Sequence, residues 1–422
     1  MKSDNILQFK FLTKKDLHSL GIYISLGIFF LIFSLLSYNI SIKYEFTDFN
    51  TFWNVGKEFL SGKGLYEHLN ERYRPFYYPP TASLIFIPFS LLPINISQGI
   101  FNFINVWVWL SCIIIIYSIL LKLNINKDAI FWKTIIFVNI MIIPFFLNTL
   151  HMIQINILVL LLMLLGIYYA FEKTDWKAGL FFGLSVSIKI VPVILPVWLL
   201  LRGRWRVAMS TLITIIILII ATLYFRGLEI GFNDYLDFFK TVILPSQTEL
   251  YRADIFNFSA SSALMRSFNN SSTIHNLFNS MNIMNHYADF VIKSFMIFKC
   301  GMIILLLLIV ILMKSREITY NEFAIPILFI LFMSPQTATS HLVWLFPVYL
   351  FIIHTSYFVK NIIIEWLPII VIFGLFVAQP YFISMNVWRL LAYYNFWTIS
   401  IFALFLNSIF YLKYWCRDRV NI

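Results

Sequence analysis

The sequence predicts an all-α polytopic membrane protein, and three observations lead to this fold class. First, 60% of its 422 residues are hydrophobic and only 12% are charged, which lies outside the range of soluble globular proteins. Second, apolar runs of about 20 residues recur, the length that a helix needs to cross a hydrocarbon core of roughly 30 Å. Third, these runs are continuous rather than alternating. Helices, not the strands of a barrel, therefore satisfy the backbone within lipid.

The net charge of +11 does not indicate a nucleic-acid partner. Lys and Arg lie in short patches at the ends of the apolar runs, as the positive-inside rule expects of cytoplasmic loops. Cys112, Cys300 and Cys416 lie in or beside apolar runs, without the spacing of a disulfide framework or a metal site. The sequence therefore predicts no metal site, and, without a P-loop or a Rossmann glycine pattern, it predicts no cofactor.

The first span places a long polar loop outside the membrane. The apolar run 20–40 follows a basic segment and is longer than the core of a signal peptide, so we expect it to be retained, with a cytoplasmic N-terminus. Residues 41–97 then form a first outer loop. Within this loop a helix lying in the membrane interface is predicted by apolar residues at helical spacing. These residues are Phe49, Phe52, Trp53, Phe59 and Leu60.

The remaining apolar runs predict about ten full spans in one integral-membrane domain that covers residues 1–422. A second outer loop, 226–290, is the other large polar segment, and both termini are expected in the cytoplasm. The predicted spans are 19–40, 98–121, 131–149, 157–171, 207–225, 291–313, 322–334, 341–358, 362–383 and 395–414.

The apolar run 178–201 predicts a broken pair of helices instead of a span. It is flanked on both sides by basic residues, which a single crossing cannot place together in the cytoplasm. Lys189 lies near its middle, and Pro192 and Pro196 interrupt a helix there. We therefore predict two half-helices that fold back near Lys189, buried in protein. The alternative is that one basic flank faces outward.

Ionisable groups at membrane depth are costly and tend to face the interior of a bundle. The candidates are Asp48, Lys189, Arg266, His341 and Arg389. Asp48, just past the first span, is suited to act as a general base on a hydroxyl; alternatively, it is the N-cap of the helix that follows. Lys189 is suited to bind a phosphate, or to extend its ammonium to the surface.

Tyr77 and Tyr78, ahead of two prolines, are suited to line a sugar site, although interfacial aromatic residues are common. His341 follows the Pro335 break and opens a span, where a lone histidine is more often structural than a ligand.

Several short motifs follow one another over about residues 44–350. They are Asp48-Phe49, Gly62 to Tyr66, Tyr77 to Pro80, Gln154 to Asn156, Lys189 to Pro192 with the basic residues 202–206, Asn257 to Arg266, and Ser334-Pro335 followed by His341. In this order they resemble glycosyltransferase family 87, whose members belong to the GT-C class and use polyprenol-phosphate sugars. Gln154 and Asn156 are similar to its Gly-Gln-x-Asn turn, with Ile153 where glycine is usual. Lys189 to Pro192 and the basic residues are similar to its Lys-Pro-x-Pro element and basic patch, with Ile190 in place of the first proline.

This resemblance implies a GT-C-type bundle in the bacterial cytoplasmic membrane, with its active site on the extracytoplasmic face. Asp48 would be the catalytic base, Arg266 and Lys189 would hold the donor phosphate, and His341 would line the same cavity. Chemistry would need no metal and would invert the sugar carbon. A hexose, with mannose expected, would pass from a polyprenyl-phosphate donor to a lipid or glycan acceptor. The residues expected to line the substrate are Tyr66, Tyr77, Tyr78, Gln154, Asn156, Asn257 and Ser259.

Two other functions remain open at this point. A multi-pass transporter or flippase of a lipid-linked saccharide also uses broken helices around a buried charge, but it has little use for the long outer loop 41–97. A ligase or polymerase of lipid-linked glycans would have larger outer loops in the second half of the chain. That half contains only the loop 226–290.

Overall fold

The computed structural model describes residues 14–45, 47–66, 75–122, 129–245, 255–269, 281–313, 318–356 and 362–411. The regular structure of these residues is entirely helical, as predicted. The basic segment before residue 14 and the C-terminal residues 412–422, with Cys416, lie outside the described part. The α-helices are α1 (Lys14–Ser41), α2 (Asp48–Ser61), α3 (Ser83–Ser90), α4 (Ile94–Lys122), α5 (Ala129–His151), α6 (Asn156–Phe171), α7 (Asp175–Ile188), α8 (Ile194–Leu201), α9 (Trp205–Arg226), α10 (Leu228–Phe238), α11 (Ala260–Asn269), α12 (Met281–Met313), α13 (Ala324–Met333), α14 (Leu345–Ser356), α15 (Ile362–Val377), α16 (Met385–Tyr393) and α17 (Phe396–Tyr411).

The described residues contain four helices that are long and apolar enough to cross a membrane, within α4, α5, α9 and α12. The number rises to five if α16 and α17, which meet at 57°, are counted as one span. The prediction of about ten full spans is therefore not confirmed. Helices do occur at the predicted places, but several are short: α13 has 10 residues, which cover only about 15 Å at 1.5 Å per residue.

The chain folds back at Lys189, in agreement with the predicted broken pair. Lys189 has an extended backbone between α7 and the single 3₁₀ turn that leads into α8. Asp175, in the first turn of α7, forms an ion pair with Arg204, which directly precedes α9. The chain therefore enters and leaves the α7–α8 segment at the same end of the bundle. That arrangement accounts for basic residues on both of its flanks.

Close packing between α7 and α9 sets the position of this fold-back. A Cβ atom on Gly179 would lie 2.4 Å from the carbonyl oxygen of Val207, and one on Gly183 would lie 2.5 Å from Cβ of Thr214. Successive turns of α7 thus pack on successive turns of α9, so the two helices run parallel from the end where Asp175 and Arg204 meet.

The predicted amphipathic helix of the first outer loop is α2, but its apolar face packs on protein. Phe49 and Phe52 are fully or almost fully buried, and the Phe52 ring stacks on Phe86 of α3 with 4.5 Å between ring centroids. Leu60 remains exposed. The apolar face of α2 is therefore covered by α3 and α4, and the location of this helix in the membrane interface stays a prediction.

The start of α2 shows which residue caps this helix. Thr47 is the N-cap, and its N–H donates to Oδ1 of Asn50 at 3.2 Å. Asp48 is the first helical residue, so the alternative that Asp48 is the N-cap is wrong. Its carboxylate lies in the first turn of α2, where the helix dipole favours negative charge.

The other end of α2 is held by a buried ion pair. Nε of Arg226 lies 2.7 Å from Oδ2 of Asp234, and Nη1 of Arg226 donates to the carbonyl oxygens of Glu58 and Phe59 at 2.9 and 2.7 Å. Arg226 ends α9 and Asp234 lies in α10. This contact therefore fixes the C-terminus of α2 against the start of the second outer loop.

Candidate active site

A cavity of about 270 Å³ opens at the end of the bundle opposite the Asp175–Arg204 pair. The start of α2, the turn between α5 and α6, the break at Lys189 and the loop before α14 all contribute to it. Its apolar wall includes Phe238, Val242 and Ile243, at the end of α10 and in the π-helical turn that follows. The polar residues that line it are Asp48, Thr51, Tyr77, Tyr78, Gln154, Lys189, Ser334, Gln336, Ser340 and His341.

Asp48 receives a hydrogen bond from the side chain of Gln154, 106 residues further along the chain. The hydroxyl of Tyr78 donates to Oε1 of Gln154 at 3.1 Å. Burial, and then the nearby charge of Asp48, raise the pKa of the Tyr78 phenol, so this hydroxyl stays protonated. The carboxylate, the amide and the phenol thus form one connected set along one wall of the cavity.

Lys189 lies in the same cavity, where it is in electrostatic contact with Asp48. Nζ of Lys189 donates to Oδ1 of Asn156 at 3.1 Å and contacts Nε2 of His341. The rings of Tyr78 and Trp344 each lie 5.4 Å from this nitrogen. Since aromatic faces attract a cation, both rings are placed to interact with this nitrogen when it carries its third proton.

Three side-chain amides of α4 hold the start of α2, which carries Asp48, and the turn that carries Gln154. The sequence analysis did not identify them. Nε2 of Gln98 donates to Oγ1 of Thr47 at 3.2 Å, Nδ2 of Asn102 to the carbonyl oxygen of Leu150 at 2.7 Å, and Nδ2 of Asn105 to that of Gln154 at 3.2 Å. All three side chains are buried. Their spacing of four and three residues places them on one helix face, and polar residues at that spacing within an apolar run are the signal that would have found them.

Asn257, Ser259 and Arg266, which the resemblance implies as substrate or phosphate contacts, lie behind the cavity wall. Nδ2 of Asn257 donates to the carbonyl oxygen of Pro335 at 3.0 Å, and Oγ of Ser259 donates to the same oxygen at 3.3 Å. Nη1 of Arg266 donates to the carbonyl oxygen of Asn257 at 2.7 Å. These contacts hold the cavity-lining loop from Ser334 to Ala338.

The other predicted residues differ in their access to the cavity. Tyr77 lines it and is exposed. Tyr66 is buried, and its hydroxyl donates to the carbonyl oxygen of Tyr78 at 2.6 Å. Asn156 is fully buried and reaches the cavity through Lys189. Arg389 is exposed on α16 and is not among the cavity-lining residues. Gln336 also lines the cavity and is exposed, and the sequence analysis did not select it.

Apolar helices surround one cavity that contains a carboxylate, a lysine and a histidine, side chains that are suited to accept a proton and to bind an anion. A sequence profile of glycosyltransferase family 87 matches residues 76–335, which is more than half of the chain. The chain belongs to glycosyltransferase family 87 and is a membrane glycosyltransferase. The match includes Tyr78, Gln154 and Lys189, whereas Asp48 precedes the matched residues and His341 follows them.

Comparison with curated proteins found no match for this chain. Membership of the family favours a transferase over the transporter or flippase that the sequence alone left open.

Proposed function

We propose that this glycosyltransferase transfers a hexose, with mannose expected, from a polyprenyl-phosphate donor to a hydroxyl of a lipid or glycan acceptor. The reaction takes place on the extracytoplasmic face of a bacterial cytoplasmic membrane and inverts the sugar carbon. The observation that carries the proposal is the cavity that brings Asp48 together with Lys189 and His341.

Asp48 acts as the general base in this proposal. Transfer of a sugar to a hydroxyl requires that the hydroxyl lose a proton as its oxygen attacks the sugar carbon. A positioned carboxylate accepts such a proton and contributes typically 10²- to 10⁴-fold to a rate. Asp48 lines the cavity, and its neighbours Gln154 and Tyr78 hold it there without neutralising its charge.

Lys189 and His341 bind the phosphate of the donor. When the bond between the sugar carbon and the phosphate oxygen breaks, negative charge develops on the phosphate, and a cation fixed nearby stabilises the transition state. Lys189 is held by Asn156 and contacts His341 within the cavity. Arg266 in this proposal acts from behind the wall by holding the loop that contains Pro335.

The test is sugar transfer by membranes that carry the wild type or Asp48→Asn. Radiolabelled polyprenyl-phosphate mannose is the donor, and the membranes supply the acceptor. We expect transfer to fall by about 10²- to 10⁴-fold in Asp48→Asn, because the amide keeps the shape of the side chain and cannot accept the proton.

Glu45→Gln is the matched control, since Glu45 is an exposed carboxylate three residues before Asp48 and does not line the cavity. It should retain wild-type transfer. Unchanged transfer by Asp48→Asn would exclude Asp48 as the base. Absence of transfer by the wild type from any polyprenyl-phosphate hexose would refute the donor class.

A further inference from the structure

The side chain of Gln154 can point in only one way between its two partners. A carboxylate only accepts hydrogen bonds, so the NH₂ group of Gln154 must face Oδ2 of Asp48, to which it donates. The amide oxygen then faces Tyr78, whose hydroxyl donates to it at 3.1 Å. Tyr78 therefore fixes the amide in the orientation that binds the carboxylate.

The backbone of Gln154 is held just as firmly. Its N–H donates to the carbonyl oxygen of Thr149 at 3.0 Å, and its own carbonyl oxygen accepts from Nδ2 of Asn105 at 3.2 Å. The residue before it, Ile153, has a left-handed backbone with φ of 50°. A buried side chain on a turn fixed by these bonds has little freedom to follow a substrate.

Gln154 also offers little surface to a substrate, since it is only 7% exposed. Its amide is already engaged on both sides, by Asp48 and by Tyr78. This differs from Tyr77, which lines the same cavity and is 40% exposed. Direct recognition of the sugar therefore fits Tyr77 better than it fits Gln154.

We propose that Gln154 is the positioning residue of the catalytic base. It holds Oδ2 of Asp48, and Tyr78 holds Gln154, so that the carboxylate keeps one orientation toward the acceptor hydroxyl. This inference rests on the proposed function, in which Asp48 is the base, and it replaces the expected substrate-lining role of Gln154 and Tyr78.

The ionisation of Asp48 responds to several neighbours, and they belong to different elements. Lys189 at the α7–α8 break and His341 before α14 share its cavity, and Tyr78 lies close to Lys189 and donates to Gln154. The N-terminus of α2 contributes a positive dipole. Removal of the hydrogen bond from Gln154 takes away one group that favours the charged form of Asp48, while the other groups remain.

The experiment compares Gln154→Met with the wild type in the transfer assay, with labelled polyprenyl-phosphate mannose as donor and a total lipid extract of the host as acceptor. Methionine keeps the length of the side chain and removes the amide. We expect kcat to fall by about 100-fold, as a small misplacement of a reacting group can cost, with the KM for the donor within about twofold of the wild-type value. The acidic limb of the pH profile of kcat/KM should move to higher pH by about one unit.

Tyr78→Phe provides the second variant, which keeps the ring and loses only the hydroxyl. It should lower kcat by about tenfold, as loss of one hydrogen bond predicts, and move the same limb in the same direction, because the amide of Gln154 then loses the group that orients it. Gln379→Met is the control for loss of a buried amide, since Gln379 bonds to the carbonyl oxygen of Leu375 away from the cavity. It should leave both kcat and the pH profile unchanged.

The outcomes separate this inference from the proposed function. A raised KM with an unchanged pH profile in Gln154→Met would show a substrate contact and overturn the inference. If Gln154→Met does not fold, an unchanged pH profile in Tyr78→Phe overturns it in the same way. Transfer at the wild-type rate by Asp48→Asn would instead contradict the proposed function, in which Asp48 is the base, whatever the result for the Gln154 variants.

Discussion

At the scale of single residues, Ile153 shows how strain can be retained beside a reacting group. Its φ of 50° lies in the left-handed region, where a β-branched residue is an outlier and costs of order 1–3 kcal/mol. The side chain is completely buried, so packing offsets that cost. The resemblance to family 87 gives glycine as the usual residue at this position, and glycine adopts the same backbone without strain.

This conformation predicts a reversed order of stability at position 153. In a helix, Gly is less stable than Ala by roughly 0.5–1 kcal/mol. At position 153, both Ile153→Gly and Ile153→Ala lose the buried side chain, but only alanine keeps the left-handed strain, at about 1–2 kcal/mol. We therefore expect Ile153→Gly to have the higher Tm in detergent. The same pair at Leu160, buried within α6, should show the ordinary order, and the ordinary order at both positions would contradict the argument.

The residue types of the candidate site could be predicted from the sequence. Whether each side chain faces the cavity or lies behind the residues that line it could not. Asp48, Gln154, Lys189 and His341 do line one cavity. Arg266 instead donates to the carbonyl oxygen of Asn257 behind it. Both kinds of residue are polar groups inside an apolar chain, and only the three-dimensional contacts separate a residue that faces substrate from one that holds a loop.

At the scale of elements, sequence patterns predicted where helices lie better than how long they are. The break at Lys189 followed from two prolines and from basic flanks that a single span cannot share. The number of full spans did not follow, because apolar composition marks a buried short helix such as α13 as readily as a spanning one. The contact of Arg226 with the end of α2 was also not visible in the sequence. The carbonyl oxygens that Arg226 binds lie more than 160 residues away along the chain.

The parallel packing of α7 on α9 predicts that a larger residue at Gly183 destabilises the protein, unlike the same substitution at a glycine with free space around it. Gly183→Ala places a Cβ atom 2.5 Å from Cβ of Thr214 and 2.9 Å from the carbonyl oxygen of Thr211. The helices must separate, and overpacking of this kind costs about 1–3 kcal/mol. We expect a lower Tm in detergent. Gly301→Ala in α12 is the matched control, because it meets no atom within 4 Å and should gain roughly 0.5–1 kcal/mol of helix stability. A Gly183→Ala protein as stable as the control would show that α7 and α9 are not packed this closely.

At the scale of the whole molecule, the bundle has two chemically different ends. The cavity with Asp48 lies at one end, between the start of α2 and the break at Lys189. The other end includes the Asp175–Arg204 ion pair and the exposed residues Lys177 and Arg206. Because cytoplasmic loops carry an excess of Lys and Arg, this charge distribution favours a cytoplasmic basic end and an extracytoplasmic cavity.

Labelling of single cysteines from either side of the membrane tests that orientation directly. In a background where Cys112, Cys300 and Cys416 are replaced by serine, Gln336→Cys places a thiol at the cavity and Lys177→Cys places one at the basic end. Both positions are exposed, so each thiol is accessible to a membrane-impermeant maleimide from its own side. We expect Gln336→Cys to react in intact spheroplasts and Lys177→Cys to react only after the membrane is opened. The reverse pattern would place the cavity in the cytoplasm, where the donor phosphate and the acceptor would have to be cytoplasmic as well. Reaction of both thiols in intact spheroplasts would mean that the two ends do not lie on opposite sides of the membrane.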